Sequence, residues 1–590
     1  MKKLSFFVLG LIFISLIACT SKKISQKTTS KPIAITELGE YKPQVGKYGG
    51  VIRMTTTSAP KSFNNFVAQE TSTTAITSFL YEGLTSQDGL TGKIKPALAH
   101  SWEYSKDGLT WTFHLRKDVK WFDGKPFTAD DVIFTFEKLI FNKEIPNSTR
   151  DILTIEDQEI TAKKTDQYTV QFKLPVKFAP FLEAMGTSIY PKHSLEKYVK
   201  DNTFASALSV STPPNEIIGT GPFMLEKYVQ GQKIILKRNP LYWDKDEAGN
   251  QVPYLDGIEF TIVQNTDVEL LKFQKGEVDV YGLRGQDYPI LKPNEKEGNY
   301  TVYNVGPATG SGFLVLNQNP GKSKEGKPFL APHKLKWFTN TNFRKALSYA
   351  IDRDSIINIV MNGLGFYQWG PMSESSGFFY NPKVTEYPFN PEKAKEILKA
   401  EGFEDRNGDG VLEDKEGNAV EFNLFTNTGN TVRKDICELI RKDFEDIGVK
   451  IHLTLLEFNT LIPKLSDTFD WDAIVIALTG GTEPHFGANI WNSSGSLHMW
   501  YPKQEKPATV WEKEIDELFS KGVQELDPDK RKMIYDRWQK IVSDNVPYIY
   551  TVQGARIIAF KNEFGNVHPT PIASTGQWSA LHNVDKIFKK

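Results

Sequence analysis

One acidic segment in the second half of the chain has the residue types and the spacing of a calcium-binding loop. Oxygen-bearing side chains stand at alternate positions and two glutamates follow: Asp405, Asn407, Asp409, Glu413 and Glu416. Oxygen ligands in this order, with an acid at the last position, are those that hard cations such as Ca²⁺ prefer. The alternative is an ordinary turn rich in Asp, Asn and Gly. Calcium bound here would hold the loop together and would take no part in catalysis.

The sequence contains none of three familiar catalytic or nucleotide-binding motifs. The chain has no G-x-S-x-G nucleophile motif, no H-E-x-x-H zinc motif and no Walker loop. His485 and His498 could be metal ligands, but isolated histidines more often serve packing. A pair of acids acting on a glycosidic bond is not excluded by sequence. We therefore expect a protein that is not an enzyme and requires no cofactor, apart from the structural calcium to be tested.

The first residues have the pattern of an export signal. Two lysines precede an apolar run from Leu4 to Ala18, shorter than the roughly 20 residues that a membrane-spanning helix needs. The run ends in Leu16-Ile17-Ala18-Cys19, which resembles a bacterial lipobox. We expect residues 1–18 to be a signal peptide, Cys19 to be lipidated, and residues 19–46 to be a flexible spacer. The alternative is a plain secretory signal that contains a cysteine.

Composition and periodicity predict a large protein of mixed α and β structure. The 590 residues are 39% hydrophobic, and a net charge of −1 offers no broad positive field, so we expect no nucleic-acid partner. In the later half, predicted helices at 342–361, 391–400 and 432–447 alternate with strands at 420–425, 449–456 and 469–478. This alternation indicates α/β layers around covered sheets.

The segment from Pro96 to Phe136, PALAHSWEYSKDGLTWTFHLRKDVKWFDGKPFTADDVIFTF, carries a recognisable order of residues. It resembles the signature of the family 5 extracellular solute-binding proteins, which include dipeptide-, oligopeptide- and nickel-binding lipoproteins. Further matches follow in the family's order: Gly219 to Phe223, Asn239 to Trp243, Asn342 to Leu347, Pro391 to Ala394 and Val546 to Tyr548. Most of these residues suit turns and helix caps, so they identify the fold and say less about the ligand.

The resemblance implies an α/β periplasmic-binding-protein fold of type II, like cluster C, with an extra small domain inserted in the first lobe. The implied parts are 47–82, 213–308 and 546–590 for the first lobe, 83–212 for the inserted domain and 309–545 for the second lobe, with crossovers at 304–317 and 544–554. A small solute or peptide would bind in the interlobe cleft and be buried by closure.

The resemblance also implies a role and a location. The closed form would dock on the permease subunits of an ABC importer. The protein would be a monomer, exported and tethered by its lipid in the cell envelope, in the periplasm or on the outer face of the cytoplasmic membrane. A surface sensor or adhesin that is not coupled to import would use the same fold.

The loop that leaves the predicted strand 469–478 bears on the cargo. We call Thr479-Gly480-Gly481-Thr482-Glu483-Pro484-His485 the exit loop. In peptide-binding relatives an aspartate of this loop pairs with the ligand's amino terminus, and matching the Glu-Pro dipeptide places Gly480 at that position. An unpaired ammonium in a closed cleft would be costly. Either Glu483 or another acid therefore replaces the aspartate, or the cargo has no such amine.

Glycine backbone and aromatic rings are the other candidate contacts. The two glycines would suit a neutral, hydroxyl-rich ligand, and tryptophan rings stack on peptide side chains, sugars or heterocycles. The expected ligand-binding residues are Trp369, Gly480, Gly481, Glu483, Trp491 and Trp500, although core packing would explain each tryptophan equally well. An oligopeptide is the first expectation for the cargo, and an oligosaccharide or another small polar solute is the alternative.

Overall fold

The computed structural model describes residues 34–570, 572 and 579–590. The predicted signal peptide and the predicted lipidation site Cys19 lie outside the described residues. Within those ranges, no helix is both long enough and apolar enough to cross a membrane.

Two sheets use segments that the sequence assigns to the first lobe. One has the order Val51–Thr56, Gly257–Ile262, Lys233–Arg238 and Phe223–Val229, with the first pair parallel and the others antiparallel. The other is antiparallel, in the order Val280–Leu283, Val552–Lys561 and Tyr300–Pro307, and Gly365–Tyr367 also pairs with its central strand. Met54 of the first sheet and Ile558 of the second belong to one hydrophobic core.

A third sheet lies within the predicted inserted domain. Its antiparallel strands have the order Ala99–Tyr104, Thr110–Leu115, Thr169–Lys173 and Thr161–Asp166. The alternation of Thr110–Leu115 places Phe113 inside, against Phe172 at 5.6 Å between ring centroids. These rings share their core with the first-lobe sheets, so the inserted domain packs on that lobe without a separating layer of solvent.

The fourth main sheet belongs to the second lobe and is covered on both faces. Its order is Lys450–Leu456, Glu421–Asn427, Ala473–Leu478, Ser311–Leu316 and Tyr548–Tyr550. Val475 points into one core and its neighbour Ile474 into another on the opposite face. The continuous apolar run Ala473–Leu478 is explained by this two-sided burial, and the predicted α/β class is confirmed.

Helices pack on these sheets, and three short strand pairs of the described residues lie outside them. The described α-helices are Thr71–Thr77, Ala129–Ile133, Thr149–Leu153, Phe181–Ala184, Lys192–Lys200, Thr266–Gln274, Tyr288–Leu291, Pro332–Thr339, Thr341–Ala350, Arg353–Ser355, Pro391–Glu401, Thr431–Glu445, Phe458–Pro463, Ala488–Trp491, Val510–Gln524 and Pro528–Asn545. Short pairs join Thr85–Gln87 to Ile94–Pro96, Thr154–Ile155 to Gln158–Glu159 and Phe564–Gly565 to Phe588–Lys589.

The predicted helix 342–361 is interrupted. Thr341–Ala350 ends before Asp352, whose side chain accepts the Ser355 N–H at 2.9 Å and starts a new turn. The buried Arg353 guanidinium donates to the Ser348 carbonyl at 2.9 Å. Hydrophobic periodicity alone predicts one helix here, but the polar contacts of Asp352 and Arg353 divide it into two.

The chain passes between the lobes twice, at two very short links. Tyr300–Pro307 lies in a first-lobe sheet and Ser311–Leu316 follows at once in the second-lobe sheet. On the return, Tyr548–Tyr550 pairs with Ser311–Leu316, and Val552–Lys561 lies back in the first-lobe sheet. The strand Tyr548–Tyr550 thus sits in the second-lobe sheet although the implied boundary at 546 gives it to the first. The other domain limits stay a prediction.

The last part of the predicted flexible spacer lies within the described residues. Residues 34–46 lie on the first lobe: Thr36 N–H donates to the Asn304 carbonyl at 2.7 Å, and Gln44 N–H donates to Asn566 Oδ1 at 2.8 Å. A segment rich in Ser, Thr and Lys with little apolar periodicity favours a spacer, but main-chain groups can pair with a neighbouring segment without apolar side chains.

Candidate functional site

Residues of the exit loop line two cavities. The first, which we call the interlobe cavity, has a volume of about 250 Å³. Gln69, Glu70 and Thr71 line it from the first lobe, and Thr479 and Phe486 are among the residues that line it from the second. Because its walls come from both lobes, its shape depends on how far the lobes are closed.

The second, which we call the inner cavity, has a volume of about 230 Å³ and is also lined by residues of the exit loop. Trp538 and Tyr550 line it, and both are at least nine-tenths buried. The Trp538 Nε1 and the Tyr550 Oη have no hydrogen-bond partner among the described residues. Burial raises the pKa of Tyr550 well above its usual value, so its hydroxyl stays protonated. A polar ligand atom in the inner cavity would satisfy both groups.

The two glycines of the exit loop have different surroundings. A Cβ at Gly480 would lie 1.8 Å from the Thr309 carbonyl oxygen, whereas one at Gly481 would meet nothing within 4 Å. Thr309 belongs to the link between the lobes, and both glycines line the inner cavity. Close backbone approach therefore requires glycine at 480.

Glu483 does not present a free carboxylate to the cleft. Its Oε2 accepts from Arg531 Nη1 at 2.7 Å and its Oε1 from Arg531 Nη2 at 2.5 Å, and both side chains are more than nine-tenths buried. Such a two-pronged ion pair satisfies the carboxylate. Burial tends to lower the Arg531 pKa, but Glu483 outweighs it and raises that pKa. Of the alternatives expected from sequence, Glu483 as the acid that meets a ligand amine does not agree with this ion pair, because Glu483 holds the exit loop to the helix Pro528–Asn545.

Two further acids lie near the cleft. Burial, and then the negative charge of Glu483, raise the pKa of Glu183 to about 7. Glu70 lines the interlobe cavity, is 8% exposed and accepts the Thr73 hydroxyl at 2.5 Å. Among the described residues no cation forms an ion pair with Glu70. It is the acid in the wall of the interlobe cavity, and no local sequence pattern distinguishes it from an ordinary surface glutamate.

The three tryptophans have different positions. Trp491 lines the inner cavity among other aromatic rings. Trp500 is 1% exposed and donates its Nε1–H to Glu512 at 3.0 Å, so it is a core residue. Trp369 packs under the Arg353 guanidinium, 4.7 Å from its ring centroid, and lines neither cavity. Trp500 is thus buried in the core, which does not agree with a ligand contact, and Trp369 is half-buried beside Arg353, outside both cavities.

The acidic segment forms a compact loop. Asp405, Asp409 and Glu413 bring one oxygen each to within 4.8 Å of one another, the only such group of metal-type ligands among the described residues. Asn407 lies beside them and donates to Asp409 Oδ2 at 3.1 Å. Glu416 instead forms an ion pair with Lys336. Asp405, Asn407, Asp409 and Glu413 could hold a hard cation, whereas Glu416 as the last ligand stays a prediction, because it lies outside the group that the structure brings together.

Two α/β lobes, joined by two short links and enclosing a cavity between them, define a bilobal solute-binding protein. The chain belongs to the bacterial extracellular solute-binding proteins of family 5, whose middle-region model matches residues 93–498. The resemblance and the two-lobed fold expected from sequence are thereby confirmed, and the chain is a solute-binding protein.

Individual relatives agree over most of the chain. A probable ABC transporter-binding protein of Deinococcus radiodurans is 32% identical, over 86% of this chain and 87% of the relative. A periplasmic alpha-galactoside-binding protein of Rhizobium meliloti is 24% identical, over 92% and 82%. The structure of the oligopeptide-binding protein AppA of Bacillus subtilis with a nonapeptide has a TM-score of 0.77 at 26% identity, over 92% of this chain and 100% of AppA.

Proposed function

We propose that this chain is the solute-binding component of an ABC importer, that it performs no catalysis, and that its cargo is a short peptide. The observation that carries the proposal is the interlobe cavity, whose walls come from both lobes across two short links. Closure around a ligand gives the permease a shape that differs from the empty form, and that difference is the signal of a loaded receptor. The relative named as an ABC transporter-binding protein supports the coupling to import.

A peptide brings a charged amino terminus that needs an acid. Gly480 cannot supply one and Glu483 is neutralised by Arg531, which leaves Glu70 in the wall of the interlobe cavity. An ammonium facing Glu70 would pair two charges that are each costly to bury alone. The nonapeptide bound to AppA supports peptide as the ligand class.

An oligosaccharide is the second candidate cargo. The exit loop offers no free acid, and the inner cavity offers the Tyr550 hydroxyl, the Trp538 N–H and aromatic faces, a surface that suits a neutral polyol. The alpha-galactoside-binding relative supports this alternative.

Native mass spectrometry of the protein, purified without denaturation, separates the two. A spread of adduct masses that sequence as peptides supports the proposal, whereas hexose-sized increments replace it with the second candidate. For a peptide receptor, Glu70→Gln should remove the adducts. The matched control is Glu226→Gln, an exposed acid on the first-lobe strand Phe223–Val229, which should keep them.

We further propose that the chain is exported and held at the membrane by lipid on Cys19. The extracellular family supports export, and Leu16-Ile17-Ala18-Cys19 supports the lipid. Cys19→Ala should move the protein from the membrane fraction to the soluble fraction of fractionated cells. Unchanged membrane association would rule out the lipid.

A further inference from the structure

A third cavity, which we call the polar cavity, lies between the inserted domain and the second lobe. Its volume is about 360 Å³. Asp151 and Thr154 line it from the inserted domain, and His485, Asn492 and Asp516 from the second lobe. The two walls are joined directly, because the Ser496 N–H donates to Asp151 Oδ2 at 2.9 Å.

Several polar atoms of this cavity lack a partner. His485 is 3% exposed, and its Nε2 lies 2.8 Å from the Ile152 carbonyl oxygen. A carbonyl only accepts, so Nε2 carries the proton and Nδ1 is an acceptor. The His485 Nδ1, the Asn492 Oδ1 and the Thr154 Oγ1 are buried without a hydrogen-bond partner among the described residues. Burial lowers the pKa of His485 to about 4, which keeps the ring neutral.

The charges around the polar cavity are mostly negative. Asp151, Glu156, Asp157 and Asp516 line it, and the basic residue that also lines it is Arg150. The Arg150 guanidinium is committed elsewhere: it donates to the carbonyls of Ile140, Asn142 and Ile145.

The two aspartates at the walls remain able to accept further hydrogen bonds. Asp516 Oδ1 accepts the Ser493 N–H at 2.8 Å, and a carboxylate has lone pairs for several donors. Burial raises the pKa of both Asp151 and Asp516, and it outweighs the opposing influence of Arg150 on Asp151 and of His498 on Asp516. Water could fill this volume, but water cannot supply the missing positive charge.

We propose that the polar cavity is a second binding site, which takes an organic cation with N–H donors, an alkylammonium or a guanidinium group. The cation would donate to Asp516, Asp151 and the acceptor nitrogen of His485. Since these groups come from both walls, an occupant joins the inserted domain to the second lobe and favours the closed form. The cation is either a free amine or the basic side chain of a bound peptide.

Isothermal titration of the whole protein with methylguanidinium and butylammonium tests this, with N-methylurea as the neutral counterpart. Both cations should bind saturably and the urea should not. Asp516→Asn should weaken cation binding by about tenfold or more, since it removes charge and keeps an acceptor oxygen. The control is Glu517→Gln, the next residue of the same helix, which is exposed beside Lys521 and should bind as the wild type does.

Asp151→Asn provides an independent variant on the opposite wall and should weaken binding in the same way. A lysine-containing peptide and its norleucine counterpart distinguish the two sources of the cation. If Asp516→Asn weakens the binding of the lysine peptide only, the polar cavity takes side chains of the cargo. If the free cations still bind in the presence of either peptide, the polar cavity takes free amines. Absence of saturable binding, or equal effects of Asp516→Asn and Glu517→Gln, would overturn the proposal and leave a water-filled cavity. Because the probes are free cations, the result is independent of which cargo occupies the interlobe cavity.

Discussion

The signature segment, residues 96–136, and the exit loop are held in place by different kinds of contact. In the signature segment, Asp131 accepts the N–H of Thr128, three residues away, at 2.9 Å. In the exit loop, Glu483 binds Arg531, 48 residues away, and Gly480 packs on the Thr309 carbonyl. The first region thus has short-range caps in addition to its long-range packing, whereas these contacts of the exit loop come from distant parts of the second lobe and from the link between lobes.

The largest effect is expected at the buried ion pair. Glu483→Gln leaves the Arg531 guanidinium buried without a counter-charge, which should lower the free energy of unfolding by about 3–5 kcal/mol. The control is Arg537→Gln, on the same helix as Arg531, which breaks an exposed ion pair with Glu514 of the preceding helix. It should lower the free energy of unfolding by less than about 1 kcal/mol. Urea denaturation measures both. Equal losses would mean that the long-range pair does not hold the exit loop.

The next effect is expected at the glycine pair. Gly480→Ala forces a methyl group into the Thr309 carbonyl and should cost up to about 3 kcal/mol. Gly481→Ala, whose Cβ has open space, should change the stability little. Thermal unfolding of the two variants compares them. If Gly480→Ala melts like Gly481→Ala, close approach to the link is not the reason for glycine.

A smaller, local effect is expected in the signature segment. Asp131 is 4% exposed and also accepts the Lys192 N–H at 3.0 Å, so Asp131→Ala should cost about 1–2 kcal/mol by removing a helix cap. Its neighbour Asp130 is exposed and pairs with Lys164, so Asp130→Ala should cost less. The reverse order, measured by urea denaturation, would contradict the local account.

The acidic loop should show the weakest effect, one of binding. Calcium titrated into chelator-treated protein should bind with a Kd of about 0.1–1 mM, in the range of extracellular sites. Asp409→Ala should remove the binding heat, and Glu416→Gln should not, because Glu416 is paired with Lys336. Absence of heat with the wild-type protein would make the loop a turn only.

The same contrast explains which features the sequence predicts. Periodicity and caps are local, so the strand Thr110–Leu115, the turn-rich signature and the α/β class follow from residues within a few positions of one another. The family resemblance supplies the two lobes. Spacing also predicts that Asp405, Asp409 and Glu413 come together, because they belong to one loop.

Local sequence patterns predict less of the candidate site than of the fold. Arg531 stands among charged residues at the start of a helix, and no local pattern shows that it is buried against Glu483. Trp500 is similarly indistinguishable in sequence from a tryptophan of the cleft, since only the fold places Glu512 beside its Nε1. Roles that depend on contacts across the second lobe require the structure.

Small-angle X-ray scattering of the protein with and without its cargo, identified by native mass spectrometry, is the most direct test of solute capture between the lobes. Binding should reduce the radius of gyration of the wild-type protein. Thr479→Trp, which fills a position lining both the interlobe and the inner cavity, should bind no cargo and should not compact. The control Lys324→Ala, on an exposed turn of the second lobe, should compact as the wild type does. Cargo binding without compaction of the wild-type protein, or compaction of Thr479→Trp, would contradict the account.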